Sequence, residues 1–196
     1  MFGKKHLLFT FAAIVVVGIW IPNSFGQEDL TTKWGFSFGG GFKQHARHDF
    51  TVATFLPRVD IPLHKNWDFE IEGNFSYYVM EDVKDIYVLG LDVNILYKPI
   101  LWKTGSVFIL GGVGLGYNNS TDHNPNTWDI GDSHVNGIVL VGAGIGYYIG
   151  KGVWLRAEYR FHHISDPFVN DPGINTHDLM LGLCFSKFPF VSKGTK

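Results

Sequence analysis

The stretch Trp67-Asp-Phe-Glu-Ile-Glu-Gly-Asn-Phe-Ser-Tyr-Tyr-Val79 decides the fold class. Trp67, Phe69, Ile71, Phe75, Tyr77 and Val79 share one parity, and Asp68, Glu70, Glu72, Asn74 and Ser76 share the other. Side chains of an extended chain point alternately to the two faces of a sheet, so this is a strand with one apolar and one acidic face. The next segment repeats the pattern. Tyr87, Leu89, Leu91, Val93, Ile95 and Tyr97 lie on one side, with Gly90, Asp92 and Asn94 opposite. Near the C-terminus, Val153, Leu155, Ala157, Tyr159 and Phe161 oppose Arg156, Glu158, Arg160 and His162. Leu179, Leu181, Leu183 and Phe185 then oppose Asp178, Gly182, Cys184 and Ser186.

Weaker alternation places four further strands near 33–43, 50–61, 104–118 and 134–149, which makes eight. Turn residues separate them at Pro62–Asn66, Glu81–Asp85, Lys98–Lys103 and Gly150–Gly152, and Asn118–Ser133 reads as a longer loop. Gly112, Gly114 and Gly116, and likewise Gly142, Gly144 and Gly146, share one parity, which leaves room on the inward face of a narrow barrel. Strands of this length meet the ~9–11 residues that a tilted membrane strand needs. Aromatics near the strand ends (Trp34, Trp67, Tyr77, Tyr87, Tyr97, Tyr117, Tyr147) match the two interfacial girdles of such a barrel.

Composition narrows the function classes. Charged residues make up 17% of the 196-residue chain and the formal net charge is −2. That excludes disordered, coiled-coil and nucleic-acid-binding compositions, so no nucleic-acid partner is expected. The single cysteine excludes a disulfide scaffold and a Cys-based zinc cluster. Lys4 and Lys5 precede the apolar run Leu7–Ile21, which is broken only by Thr10, and Ser24 and Gly26 offer small residues for cleavage. Residues 1–26 therefore read as a secretory signal peptide, being too short to span a membrane as a helix. The expected organisation is signal peptide 1–26, β-barrel 27–190 and a C-terminal tail 191–196.

Alternation alone does not say which face is inside. A soluble lipocalin-type barrel would turn its apolar face inward around a ligand. The charged face favours a membrane barrel: Glu70, Glu72, Asp92, Arg156, Glu158 and Arg160 can pair across a small lumen, and one cysteine cannot make the disulfide that lipocalin-like barrels usually carry. The expected fold is thus all-β, an eight-stranded antiparallel transmembrane β-barrel in the outer membrane of a Gram-negative-type bacterium. A closed barrel satisfies every backbone hydrogen bond in hydrocarbon. With periplasmic termini, the connection after the seventh strand is extracellular, which puts residues 164–176 at the outer leaflet.

Chemistry is expected at that edge. His163 and Ser165 are two apart and share the lipid-side parity of Tyr159 and Phe161. A hydroxyl becomes a nucleophile when a neighbouring imidazole takes its proton. Asn175 and His177 have the matching parity on the last strand, and either could orient the His163 ring. His162 has interior parity and is expected to pair with an acid. The cluster Lys43, His45, Arg47 and His48, with Asp122 and His123, reads as solvated loop charge, and no metal site is expected.

Tyr159-Arg-Phe-His-His-Ile-Ser165, Asn170-Asp-Pro-Gly-Ile-Asn175 and Leu179-x-Leu-Gly-x-x-Phe185 resemble the outer-membrane lipid A 3-O-deacylases, or acyloxyacyl hydrolases. The specific likeness covers the last 30 or so residues. It implies a serine esterase working on the outside of the barrel, with Ser165 as nucleophile, His163 as base and Asn175 at the position of the orienting acid. It further implies lipid A of lipopolysaccharide, among outer-membrane lipids, as the partner, needs no cofactor, and leaves a homodimer open. Where the family has Asn-Ala-Gly at its oxyanion hole, this chain has Asp166-Pro167-Phe168. A carboxylate repels a developing oxyanion and a proline has no amide proton to donate. The alternative expectation is accordingly a non-catalytic structural or surface-contact barrel that has lost the oxyanion hole.

Overall fold

The computed structural model describes residues 31–44, 50–80, 85–119, 134–165 and 173–186. Eight strands follow in chain order: β1 Lys33–Gln44, β2 Phe50–His64, β3 Trp67–Met80, β4 Ile86–Trp102, β5 Gly105–Asn118, β6 Val135–Gly150, β7 Val153–Ser165 and β8 Ile174–Phe185. Each pairs antiparallel with the next, and β8 pairs with β1 to close the barrel. The expected signal peptide (1–26) and tail (191–196), together with Asp166, Pro167 and Phe168, lie outside the described residues.

The two ends differ. Two-residue turns at 65–66, 103–104 and 151–152 gather at one end, beside the start of β1 and the end of β8. The third is built on left-handed backbone, with φ of 108° at Gly150, 53° at Lys151 and 82° at Gly152. The four longer connections, after β1, β3, β5 and β7, all lie at the other end.

The two faces differ more. Outward positions are apolar and open: Phe38 is 58% exposed, Leu115 62% and Leu181 64%. So large an apolar wall is unsuited to water and suited to hydrocarbon. Trp34, Trp67 and Tyr147 ring the turn end, with Tyr97 buried against Trp67, while Tyr77, Tyr87 and Tyr117 lie toward the loop end. From Trp67 to Tyr77 is ten residues of β3, roughly 33 Å along the strand. Tilted by about 40°, that gives about 25 Å of membrane depth, the height of a barrel's apolar band.

The lumen is filled by side chains. Arg58, Arg156 and Arg160 meet Glu70, Glu72 and Glu158 in one buried network. Arg156 Nη1 lies 2.6 Å from Glu70 Oε2, Arg156 Nη2 2.7 Å from Glu158 Oε2, and Arg58 Nη2 2.8 Å from Glu158 Oε1. Arg160 grips Glu72 through both terminal nitrogens. Charges packed this deeply persist only when each has partners, which this interlocking supplies. Toward the loops, Val52, Tyr78, Ile86, Val88, Ile138, Ile164 and Ile174 form an apolar plug. Leu96, Phe108, Leu110 and Leu140 form a second cluster nearer the turns. A narrow barrel filled in this way is a packed core rather than a pore.

The inward glycines serve this packing. A Cβ on Gly112 or Gly114 would run into the Asn94 or Asp92 side chain, so these positions give β4's polar groups their space. Two turn expectations need correcting. Pro62 lies within β2 and Pro99 within β4, and the tight turns come later, at 65–66 and 103–104. A proline cannot donate to the ladder, and each strand accommodates it where the register shifts, between Pro62 and His64 and between Tyr97 and Ile100. At the other end of the chain, β8 starts at Ile174, four residues before the clear alternation from Asp178, and this start carries the site described next.

Candidate functional site

The last turns of alternation on β7 put Tyr159, Phe161, His163 and Ser165 on the outer wall and Arg160, His162 and Ile164 in the lumen. The β7–β8 register then sets what they face. His163 lies directly across from Asn175, and Phe161 across from His177. Between the two orienters that the sequence left open, the register places Asn175 at the imidazole: His163 Nδ1 is 2.8 Å from Asn175 Oδ1. An amide oxygen only accepts, so Nδ1 is the donor of this bond, and Nε2 is the nitrogen whose lone pair the neutral ring offers as a base. His177 stands two residues along β8, nearer the membrane centre. Its Nδ1 takes the Tyr159 hydroxyl, its ring stacks on Phe42 with centroids 5.5 Å apart, and Phe161 meets it edge-on at 5.3 Å.

Ser165 closes β7 and pairs with Gly137 of β6. On its other side lies Gly173, whose φ is +66°. A Cβ built on Gly173 would be 2.8 Å from His163 Cε1 and 2.8 Å from Ser165 Cβ. These two atoms therefore lie no further apart than twice that distance. Cε1 is bonded to Nε2 and Cβ to Oγ, so the imidazole and the hydroxyl both border the space that Gly173 leaves open. Glycines, Gly137 and Gly173, thus lie beside Ser165 on both neighbouring strands. A lone-pair nitrogen, an adjacent hydroxyl and a third group holding the ring are the geometric requirement for general-base activation of an alcohol. Here they occur on the outer wall, at the loop end.

Inside, His162 behaves as its parity implied. It is 3% exposed and bonded through Nδ1 to Asp178, which also accepts from Thr176 Oγ1 at 3.3 Å. Asp166, Pro167, Phe168, His45, Arg47, His48, Asp122 and His123 fall outside the described residues. Among the described residues, no group of three or more His, Cys, Asp or Glu side chains is arranged to hold a metal. Sequence reasoning missed two contributors. Arg58 sits at the hub of the ion-pair network, and the parity it shares with Asp60 in a weakly alternating strand was its only signal. Gly173 lies against both site residues, and a lone glycine in a turn-rich stretch gave no sign of it.

A closed antiparallel meander of eight strands, with a charged, filled lumen and an apolar outer wall, is an integral outer-membrane barrel. The chain belongs to the outer membrane protein β-barrel domain family, whose model matches residues 57–186. Among solved structures it is similar to the outer membrane enzyme PagL, with 15% identity over 76% of this chain and 97% of that one, at a TM-score of 0.56. It is also similar to the outer membrane protein OprG from Pseudomonas aeruginosa (10% identity, 83% and 98% covered, TM-score 0.53). Neisserial surface protein A gives 11% identity, 81% and 98% covered, and a TM-score of 0.51. At these identities the likeness is one of fold. Among curated proteins, none matches the chain.

Proposed function

We propose that this barrel is a serine esterase that hydrolyses an acyl ester of lipid A on the lipid-facing, outer-leaflet side of the barrel. The observation that carries the reading is the His163–Asn175 hydrogen bond of 2.8 Å beside Ser165, on a surface otherwise made for hydrocarbon. In this reading Ser165 Oγ gives its proton to His163 Nε2 and attacks the ester carbonyl. The imidazolium then protonates the leaving alkoxide, and water releases the acyl group as a free fatty acid. Asn175 holds the ring and its tautomer. The substrate arrives along the membrane plane, because the lumen beneath is filled. The resemblance of residues 159–185 to lipid A 3-O-deacylases supplies the substrate class.

Lipid A from outer membranes containing the wild-type chain or Ser165→Ala, compared by mass spectrometry, tests this. The wild type is expected to lose the mass of one 3-hydroxyacyl chain and Ser165→Ala to leave lipid A intact. Identical lipid A in both rejects the esterase. One observation favours a second reading. Asp166-Pro167 follows the serine where an oxyanion needs donors, as would suit a barrel of structural or surface-contact role.

A further inference from the structure

We infer that Gly173 is a positioning residue for the His163–Ser165 couple, and that the space left by its missing side chain is what lets imidazole and hydroxyl meet; this rests on the esterase reading. Three observations converge on it. Its φ of +66° lies where L side chains are strained, so glycine alone adopts this backbone cheaply. The position its Cβ would take is 2.8 Å from His163 Cε1, 2.8 Å from Ser165 Cβ and 2.6 Å from the Ile164 carbonyl oxygen. Real Cβ contacts are longer, so any side chain there forces its neighbours apart.

The third observation determines what must yield. Ile164 and Ile174, the residues between the site's outward groups, are directly paired across β7 and β8. They are 1% and 2% exposed, and both belong to the apolar plug. The plug pins the backbone of both strand ends from inside, because close-packed cores resist displacement. Of the three contacts, the Ile164 carbonyl oxygen and Ser165 Cβ are held in place by the backbone, so the strain of a Cβ at 173 falls on the His163 ring, the one group of the three that can turn away. Cε1 lies between Nδ1 and Nε2 in a rigid ring, so displacing it also displaces Nε2, the atom needed as base. The same displacement moves Nδ1, so the bond to Asn175, two residues along β8, is strained together with the couple.

The test compares Gly173→Ala with Gly152→Ala in the full chain, folded in detergent micelles. Gly152 also has a left-handed backbone, at φ +82°, but lies in the turn at the opposite end of the barrel, where a Cβ meets the Ser186 side chain, with Oγ at 2.7 Å and Cβ at 4.0 Å. It therefore reports strain without the site. Hydrolysis of a short-chain fatty-acyl p-nitrophenyl ester in the same micelles is expected to show kcat reduced at least tenfold by Gly173→Ala with KM within about twofold. Gly152→Ala is expected to keep both. A second readout does not depend on turnover: the imidazole nitrogen signals of His163 in ¹⁵N-histidine-labelled protein, assigned with His163→Gln. These are expected to shift in Gly173→Ala and to hold still in Gly152→Ala. Unmoved His163 signals in Gly173→Ala, or equal losses in both variants, overturn the inference. A wild type that hydrolyses nothing while its His163 signals still respond to Gly173→Ala overturns the esterase and leaves the packing role of Gly173 standing.

Discussion

Two adjacent histidines have opposite lives. His162 points into the lumen, is almost wholly buried and is tied to the Asp178 carboxylate; His163 points outward and is tied to the Asn175 amide. His163 thus has a neutral partner, whereas a carboxylate holds His162. Yet it has an apolar plug above it and an ion-pair network below, and no substrate reaches it. His163 has a neutral partner but also has a serine beside it and hydrocarbon in front of it. A one-residue step along a strand exchanges the barrel's inner chemistry for its outer chemistry. Inside, charges build the scaffold; outside, a small polar group in an apolar wall carries the proposed reaction.

The sharpest way to break this comparison is at the hydroxyl. Ser165→Ala is expected to reduce ester hydrolysis about a thousandfold or more, a loss of about 4 kcal/mol in transition-state stabilisation, with the barrel's heat-modifiable gel shift unchanged. The inner side should answer in the opposite sense. Arg160→Met leaves Glu72 without its two-point partner, and removing one member of a buried pair costs about 3–5 kcal/mol. Urea unfolding in lipid vesicles followed by tryptophan fluorescence is expected to show that loss, with hydrolysis per folded molecule retained. Asn175→Asp gives His163 the kind of partner that His162 already has. Its expected result is a rise of about tenfold in kcat, since a carboxylate stabilises the imidazolium formed in the reaction; a fall would show that the amide is the better fit for this surface. The smallest effect belongs to Tyr159→Phe, which removes one hydroxyl from His177 and is expected to cost about 0.5–1.5 kcal/mol in the same unfolding assay.

Much of the barrel was legible because strand parity is a local property. Trp67–Val79 and Tyr87–Tyr97 declare both faces within a dozen residues, and the assignment of Arg156, Glu158 and Arg160 to the lumen followed from their neighbours. Pro62 and Pro99 misled because a proline reads as a turn, whereas a shifted register absorbs it within a strand. Arg58 was obscured by a strand whose two faces contrast weakly. At the site, parity placed His163, Ser165, Asn175 and His177 on one wall, and nothing local could say which of the last two the imidazole would meet.

What the sequence determined by itself was the periodicity: eight extended segments, an apolar side and a polar side, and a histidine and a serine on the apolar one. Those follow from the two-residue repeat of an extended chain, which needs no partner strand. Only the closed barrel decided the pairings. The register between β7 and β8 set Asn175 rather than His177 against His163, the curvature of the closed sheet brought Arg58 onto Glu158 a hundred residues away, and the plug of Ile164 and Ile174 fixed the strand ends so that Gly173 could lie against both members of the couple. Each of these is a contact between distant segments, set by ladder hydrogen bonds and packing that no single stretch of chain contains.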